Sequence, residues 1–375
     1  MKIVVVCDFE RDLLKRVLEV YKSFKNTPDI LLVSRGRVLP RYGYDLQTES
    51  IRTYRKVTEA SISGLVAAFL PTITYLAFSW IVLLKIRKQR VDLVHAHFAL
   101  PQGLFGIMTS RILRVPLVVT TPGLDVNHYM RNCILKPLIS FVLKNADSVI
   151  AVSKPIHEAL LRYGISRSVF IPNCIDPFSV NVTDIEGFSK SILFIGTLTN
   201  RKRPLLLLQG FQRVLAQVPD AELVMVGDGP LKDAVVGKIK ELGLQRNVSL
   251  RSHLSEGGLD KLREESAIFV LPSTSEGLSI ALLEAMAAGQ AIVASRNESH
   301  EAVLDHGKTA LMFDIDDAQD LASNLARVIT DKHLRTTISS GARRLCIQAY
   351  SNSYAAKQLE SLYEKVYADY HTAHQ

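Results

Sequence analysis

Residues 268–295 read IFVLPSTSEGLSIALLEAMAAGQAIVAS, and this stretch decides the fold. Its first part, Ile268–Leu271, is a short apolar run that predicts a buried strand. Gly277 then interrupts the chain, and Leu278–Ala288 contains helix formers without an internal Gly or Pro, which predicts a helix. Gly289 is a typical helix stop, and the apolar run AIVAS after it predicts another strand. This order of elements is typical of a parallel sheet covered by helices.

The same alternation of short apolar runs and helical stretches extends over the whole chain. It predicts an α/β protein with parallel sheets, in which ligands bind beyond the carboxyl ends of the strands. The predicted strands are Ile3–Val6, Ile30–Val33, Leu93–Ala96, Leu117–Thr120, Ser148–Val152, Ile192–Ile195, Leu223–Val226, Val248–Arg251, Ile268–Leu271 and Ala291–Ala294.

A length of 375 residues suits two domains of this kind. Pro, Asn, Ser and Gly residues cluster between about 172 and 190, which is the composition of a domain boundary. We therefore expect one Rossmann-like domain over 1–172 and a second over 173–353.

Composition narrows the class of protein. Hydrophobic residues make up 47% of the chain and charged residues 22%, as in globular proteins. The four cysteines are scattered without a C-x-x-C pair, which argues against a structural zinc site and a disulfide framework and favours a cytoplasmic location. The basic residues are dispersed despite the net charge of +8, so nucleic-acid binding is not expected.

Residues 60–84 carry no charge and are long enough to cross a membrane. A span there would separate strands of one sheet, and Pro71 favours two shorter helices instead. The basic run Lys85–Arg90 follows directly. Two interpretations stay open: a membrane-surface contact through 60–90, which would make the protein peripheral, or a buried helix with a solvated end.

Glu276 and Glu284 flank the start of the helix predicted above. They are at most roughly 12 Å apart along its axis, and the helix N-terminus between them favours a phosphate group. A carboxylate repels phosphate, so each Glu is expected to accept hydrogen bonds from hydroxyls on either side. Hydroxyls at both ends with phosphate between them describe a nucleotide sugar. The simpler alternative is that Glu276 caps the helix and Glu284 faces solvent.

These residues resemble the E-x7-E signature of retaining glycosyltransferases of family 4, which have the GT-B fold. Further stretches resemble other motifs of the family, in family order: Val94–Phe98, Ala151–Lys154, Ile171–Asp176, Ile195–Lys202 and Val226–Pro230. The resemblance implies two Rossmann-like domains whose parallel sheets face each other across a cleft. It also implies that a C-terminal helix, about 354–375, returns to the N-terminal domain.

The implied activity is transfer of a sugar from a nucleoside diphosphate sugar to a glycan or lipid-linked acceptor, with retention of anomeric configuration. Such a reaction belongs to polysaccharide or glycolipid synthesis and requires no metal or other cofactor. We see no clustered metal ligands in the sequence.

On the donor side, three consecutive cations, Arg201–Arg203, follow the turn at Gly196 and are suited to neutralising a diphosphate. The resemblance implies that Lys202 and Glu276 are catalytic. Thr197 stands where the family has an Arg, a role that Arg201 or Arg203 would take over. The turn at Gly227–Pro230 is expected mainly to reverse the chain. The implied donor-binding residues are Glu284, Arg201, Gly196, Thr197, Gly277, Leu278, Ser279 and His253.

On the acceptor side, Pro122 stands where the family often has a His. Gly123 and Asp125 keep their places, and the role of that His would shift to a neighbour such as Asp125, His97 or His128. Asp8 lies where the family usually has a Gly-rich loop. It would orient an acceptor hydroxyl or cap the next helix. A packed structural role is the alternative for His95 and His97.

Two other functions are compatible with the same motifs. One is a non-catalytic donor-binding or partner subunit, which the departures at Pro122 and Thr197 favour. The other is a nucleotide-sugar epimerase of GT-B fold, which the pair of Glu residues fits less well.

Overall fold

The computed structural model of the protein describes residues 1–6, 11–33, 90–127, 129–252 and 254–374. The chain divides into two compact units, Met1–Pro172 together with Ala355–Gln375, and Asn173–Tyr354. Each unit contains a six-stranded sheet, and helices lie between most successive strands in the described part of the chain.

The sheet of the first unit has the order β2-β1-β3-β4-β5-β6, and every neighbouring pair is parallel. Its strands are β1 Lys2–Val6, β2 Asp29–Val33, β3 Leu93–His97, β4 Leu117–Thr121, β5 Ser148–Ala151 and β6 Ser168–Phe170. Its helices are α1 Arg11–Lys22, a π-helical turn Ala99–Gly103, α2 Leu104–Leu113, α3 Leu124–Asn127, a 3-10 turn Tyr129–Arg131, α4 Leu135–Lys144 and α5 Lys154–Arg162.

The sheet of the second unit has the order β12-β11-β10-β7-β8-β9 and is also parallel throughout. Its strands are β7 Ser191–Ile195, β8 Glu222–Val226, β9 Val248–Arg251, β10 Ile268–Leu271, β11 Ala291–Ser295 and β12 Leu311–Phe313. Its helices are a 3-10 turn Asn200–Lys202, α6 Pro204–Leu215, α7 Lys232–Glu241, α8 Glu256–Glu264, α9 Ile280–Ala288, α10 Glu298–Glu301, α11 Ala318–Thr330 and α12 Lys332–Ala349. The last helix, α13 Asn352–Ala373, belongs to the first unit from Ala355 onward.

The strand order of the second unit positions the candidate site. Strands β7, β10 and β11 lie side by side and run in the same direction. Because the carboxyl ends of parallel strands meet at one edge of a sheet, the loops that follow these three strands are neighbours there.

All ten predicted strands are present, to within one residue at either end. The two that the sequence did not reveal, β6 and β12, have three residues each. Three residues are too few to display a period, so their apolar side chains could not be distinguished from those of a loop.

Helix α9 begins two residues later than predicted, because the Ser279 hydroxyl accepts a hydrogen bond from the Leu282 amide and caps the helix. It ends at Gly289, whose φ of 74° is left-handed and therefore favours glycine. All seven residues from Leu282 to Ala288 are buried, which accounts for their continuous apolar pattern.

In the described part of the chain, no helix combines the length and the apolar character that a membrane span requires. The uncharged segment 60–84, Asp8, His128 and His253 lie outside the described residues. The predictions made for them therefore stay predictions.

Candidate active site

Glu276, in the loop after β10, lies between two cations from the loop after β7. Lys202 Nζ is 2.6 Å from Glu276 Oε1, and Arg201 Nη1 is 2.8 Å from Oε2. Arg201 Nη1 also donates a hydrogen bond to the backbone carbonyl of Ser275 at 2.9 Å. The structure thus brings the predicted carboxylate and cations together, as partners of one another.

This ion-pair cluster is largely buried. The side chains of Glu276 and Lys202 are 8% and 10% exposed, whereas Arg201 is half-exposed. Burial alone would raise the pKa of Glu276, but the Lys202 ammonium, with smaller contributions from Ser273 and Arg201, lowers this pKa below its usual value. The carboxyl group is therefore ionised at neutral pH and accepts hydrogen bonds.

The turn after β8 supports the loop that carries the cations. A Cβ atom on Gly227 would lie 1.9 Å from the carbonyl oxygen of Gly196, and one on Gly229 would lie 2.7 Å from that of Leu198. The Leu198 amide donates to the Asp228 carbonyl at 2.9 Å. The turn was expected mainly to reverse the chain, but its glycines also permit a close approach of two backbones.

The loop after β11 supports Glu276 from another direction. Ser299 Oγ donates to the Glu276 carbonyl at 2.6 Å, Asn297 Nδ2 to the Ser273 carbonyl at 2.9 Å, and Ser295 Oγ to the same carbonyl at 2.6 Å. These bonds fix the backbone on both sides of the carboxylate. The sequence analysis missed these residues, since a Ser or Asn in a loop carries no signal of a distant partner.

His300 completes this support and was also missed. It is 1% exposed, and its Nδ1 lies 2.8 Å from the Ser295 carbonyl. The same Nδ1 lies 2.9 Å from Asn297 Nδ2, so His300 contacts two of the residues that hold the loop of Glu276. Burial lowers the pKa of His300, so the ring is neutral at neutral pH.

Glu284 lies on α9, and only 8% of the residue is exposed. Its Oε2 accepts a hydrogen bond from Arg263 Nη2 of α8. Arg263 Nη1 is 2.8 Å from Asp260 Oδ1, and Arg263 is itself 5% exposed. The simpler alternative, in which Glu276 caps the helix and Glu284 faces solvent, is therefore wrong. Ser279 caps α9, and Glu284 is buried.

The other donor-side residues at the start of α9 form its first turn and the approach to it. Gly277 and Ser279 are half-buried, and Leu278 is buried. The Leu278 carbonyl accepts a hydrogen bond from Asn173 Nδ2 at 3.3 Å. This bond ties the helix start to the first residues of the second unit.

In the loop after β7, Gly196 is half-buried and Thr197 is exposed. Arg203, proposed as a substitute for the missing cation, forms an ion pair with Asp316. Of these two arginines, Arg201 is the one that pairs with Glu276.

The first unit holds the predicted acceptor-side residues at the carboxyl ends of β3 and β4. His97 is 8% exposed, and burial lowers its pKa to about 3. Asp125 is fully buried, with Oδ2 accepting from the Ala99 amide at 3.1 Å. Burial raises the pKa of Asp125 to about 7, against the opposing effect of this hydrogen bond. Gly123 has a φ of 127°.

His95 has the structural role that was the alternative for it. Its Nδ1 lies 2.8 Å from Tyr21 Oη and 2.6 Å from Tyr363 Oη, and its Nε2 lies 2.7 Å from Thr120 Oγ1. The network joins β3 to α1, β4 and the C-terminal helix α13.

Over residues 1–6, 11–33, 90–127, 129–252 and 254–374, no group of three His, Cys, Asp or Glu side chains is arranged to hold a metal ion.

Two family profiles match adjacent parts of the sequence. The profile of "Glycosyltransferase Family 4" matches residues 40–177, and that of "Glycosyl transferases group 1" matches residues 178–345. The boundary between them falls close to the division between the two structural units.

Characterised relatives match most of the chain at low identity. An N-acetyl-alpha-D-glucosaminyl L-malate synthase of Bacillus anthracis is 25% identical over 298 residues, covering 76% of this chain and 77% of the relative. A UDP-Gal:alpha-D-GlcNAc-diphosphoundecaprenol alpha-1,3-galactosyltransferase of Escherichia coli is 24% identical over 305 residues, covering 74% and 76%.

The fold agrees with that of solved structures over almost the whole chain. The crystal structure of Anabaena Alr3699/HepE in complex with UDP and glucose superposes with a TM-score of 0.75 and 16% identity, covering 97% of this chain and all of the other. A sucrose-phosphate synthase of Thermosynechococcus elongatus gives a TM-score of 0.76 at 18% identity, covering 98% of this chain and all of the other. With its two parallel sheets and both family profiles, the chain belongs to the glycosyltransferases of family 4, which have the GT-B fold.

Proposed function

We propose that this glycosyltransferase takes its sugar from a nucleoside diphosphate sugar and transfers it, with retention of anomeric configuration, to a glycan or lipid-linked acceptor. The observation that carries the proposal is the Glu276 carboxylate between Lys202 and Arg201. The cluster combines a hydroxyl acceptor with two phosphate partners at the edge of the sheet where ligands bind.

The cations take the diphosphate. Lys202 is a buried point charge, and Arg201 is a half-exposed guanidinium able to bind two phosphate oxygens. Held near the leaving group, they stabilise the negative charge that develops on the departing nucleoside diphosphate. This charge stabilisation needs no metal ion.

The two carboxylates take the hydroxyl groups. Glu276 binds hydroxyls of the transferred sugar, and Glu284 binds those of the ribose. The start of α9 lies between them in the sequence, and the phosphate would bind amides of its first turn other than that of Leu282, which is bound by Ser279. Support for a nucleotide donor comes from the related Anabaena structure, which holds UDP and glucose.

The acceptor side belongs to the first unit, at Gly123, Asp125 and His97. A lipid-linked acceptor is supported by the E. coli relative, whose acceptor is attached to diphosphoundecaprenol. Retention is supported by the E-x7-E motif at Glu276 and Glu284. In the proposed step, the acceptor hydroxyl attacks the anomeric carbon as the diphosphate leaves, and a diphosphate oxygen takes the hydroxyl proton.

A non-catalytic donor-binding subunit is the second candidate. Two departures favour it: exposed Thr197 where the family has an Arg, and Pro122, which has no amide hydrogen and no side-chain donor, where the family often has a His.

The test is thermal unfolding with UDP, GDP and ADP and their glucose or mannose conjugates, because a ligand of the folded state raises the melting temperature. We expect one base to stabilise the protein and Lys202→Met to abolish its effect. The matching sugar conjugate should then be consumed slowly, with release of the free nucleotide. Stabilisation without consumption, even with glycan and polyprenyl acceptors, would favour the non-catalytic subunit. No stabilisation by any nucleotide would refute a nucleotide donor.

A further inference from the structure

Helix α4 of the first unit presents an apolar face to solvent. Ile134, Leu138 and Phe141 are 61%, 39% and 46% exposed. Ile134 directly precedes the helix and has helical φ and ψ, so the three residues follow a spacing of four and three and lie on one side. We call them the α4 face.

The helix does not need this face for its own packing. Ile139, Val142 and Leu143, on the opposite side, are almost completely buried and belong to the core of the first unit. The packing of α4 against the first unit therefore does not depend on the α4 face. Exposed apolar side chains in a contiguous row mark an interaction surface more often than scattered ones do.

The charge in the part of the chain that contains the α4 face is mostly positive. The described residues 90–144 contain six Lys or Arg and two acidic residues. One of the two acids, Asp125, is fully buried. Neither α2 nor α4 contains an acidic residue, and each has a basic residue in its last turn, Arg111 and Lys144 respectively.

The neighbouring helix α2 extends the surface. Arg111 Nη2 donates to Asn145 Oδ1 at 2.9 Å, which holds the carboxyl ends of α2 and α4 together. Ile112, the next residue of α2, is 41% exposed. Exposed Lys144 lies at the same end of α4 and forms no ion pair with an acidic residue of the described chain.

We propose that the α4 face, with Arg111 and Lys144, docks the protein on the surface of an anionic phospholipid bilayer. The apolar row would enter the boundary between headgroups and acyl chains, and the cations would face lipid phosphates. A nucleic acid would use the cations but leave the apolar row in water. This docking surface is made of other residues than the predicted contact through 60–90 and does not depend on the identity of the donor.

The position of α4 links the proposed membrane docking to the acceptor side of the first unit. The helix packs on the turn Ala99–Gly103, whose first amide is held by Asp125. Asp125 is one of the predicted acceptor-side residues. Docking through α4 would therefore place the acceptor side of the first unit near the membrane in which a lipid-linked acceptor is dissolved.

The test is co-flotation of the full chain with vesicles of phosphatidylcholine alone and of an equimolar mixture with phosphatidylglycerol. We expect binding to the anionic vesicles only, weakened by salt. Phe141→Glu should reduce the bound fraction about tenfold by removing apolar contact and adding repulsion. The matched control is Phe178→Glu, which makes the same change at a residue of the second unit that is 75% exposed.

Three results would overturn the proposal. One is the absence of binding to anionic vesicles, and another is equal loss in Phe141→Glu and Phe178→Glu. The third result would show that a second copy of the chain, and not a membrane, binds the α4 face. If sedimentation shows a dimer that Phe141→Glu dissociates while vesicle binding is unchanged, the face is an interface between copies. Urea unfolding of each variant will show that the exposed substitutions leave the fold intact.

Discussion

Lys202 Nζ lies 2.6 Å from Glu276 Oε1, although the proposed reaction assigns the lysine to a diphosphate and the glutamate to a sugar. The two groups therefore bind each other in the arrangement seen here. A diphosphate that reaches Lys202 and Arg201 has to compete with the Glu276 carboxylate for the same hydrogens.

This competition predicts opposite effects of Glu276→Gln on binding and on turnover. Without the carboxylate charge, nucleoside diphosphate affinity should stay equal or increase, because the two cations lose an anionic partner. Turnover should fall about a hundredfold, since the amide binds the sugar hydroxyls less well in the transition state. Calorimetric titration and initial rates separate the two quantities. Glu222→Gln, at an exposed position at the start of β8, is the control. Parallel losses of affinity and turnover would show that Glu276 only binds the donor.

The same ion pair predicts a pH-dependent cost of Lys202→Met. Removing one partner of a buried pair leaves the other charge uncompensated, so the free energy of unfolding at pH 7 should fall by about 3 kcal/mol. In the wild type the lowered pKa of Glu276 gives stability above the ordinary carboxyl pKa, and this stability is lost as the pH falls.

In Lys202→Met, mainly Arg201 remains to oppose the effect of burial on Glu276, so the pKa of Glu276 should rise. Protonation of Glu276 should then remove the cost of its uncompensated buried charge. The stability difference from the wild type should therefore narrow as the pH falls from the raised pKa of Glu276 in the variant to its lowered pKa in the wild type. Urea unfolding at a series of pH values measures it. Lys232→Met, which breaks the exposed pair with Asp228, should have little effect at any pH. A difference independent of pH would mean that Glu276 does not carry the cost.

The stretch around Glu276 shows what the sequence could and could not predict. Strand β10, helix α9 and strand β11 follow from local apolar runs and from Gly289, which are properties of neighbouring residues. The pairing of Glu284 with Arg263 was not predicted, because their approach depends on how α8 and α9 pack. The support of Glu276 by Ser299 was missed for the same reason, since the two loops meet only when the sheet is assembled.

The predicted roles of Lys202 and Glu276 came from motif spacing, and spacing does not determine which groups pair in the folded protein. Strand β12 was missed for another reason, because it is a three-residue edge strand whose place is determined by its pairing with β11.

Glu284 requires a substitution that preserves its buried partner. Glu284→Ala would leave Arg263 with Asp260 as its acidic partner and should lower the free energy of unfolding by about 3 kcal/mol. Glu284→Gln keeps a hydrogen-bond acceptor for Arg263 and should cost about half as much. If Glu284 binds the ribose, both variants should weaken nucleotide binding at temperatures where each is folded. Calorimetric titration checks this. Unchanged affinity in Glu284→Gln would count against the ribose role and leave Glu284 as a structural partner of Arg263.

We expect the buried hydroxyl of Tyr363 to hold the C-terminal helix α13 on the first unit. Its hydroxyl is fully buried, 2.6 Å from His95 Nδ1 and 2.9 Å from Tyr21 Oη. Tyr363→Phe removes this group and leaves its partners with fewer hydrogen bonds, so we expect a loss of about 1–2 kcal/mol in the free energy of unfolding. Tyr367→Phe, one turn later and 38% exposed, should cost much less. Equal effects of the two variants would show that the buried network does not anchor α13.

We expect the titration of Asp125 to change the free energy of unfolding with pH in the opposite direction to that of Glu276. Burial raises its pKa from 3.8 to about 7, so the folded protein holds this proton more tightly than the unfolded chain does. The resulting stability is complete below pH 3.8 and is lost as the pH rises through about 7. Asp125→Asn has no such titration and keeps an oxygen for the Ala99 amide.

The stability of Asp125→Asn relative to the wild type should therefore rise steadily from pH 4 to pH 7 and then level off, by at most about 4 kcal/mol. The slope of this stability difference against pH tests the prediction, because any pH-independent cost of the amide shifts the difference equally at every pH. Unfolding free energies of both proteins across this pH range measure the slope. Parallel curves would mean that Asp125 is ionised in the folded protein. A rising curve would establish a carboxylic acid that is protonated below neutral pH beside the strand ends of the first unit. Such a group is able to donate a hydrogen bond to an acceptor substrate.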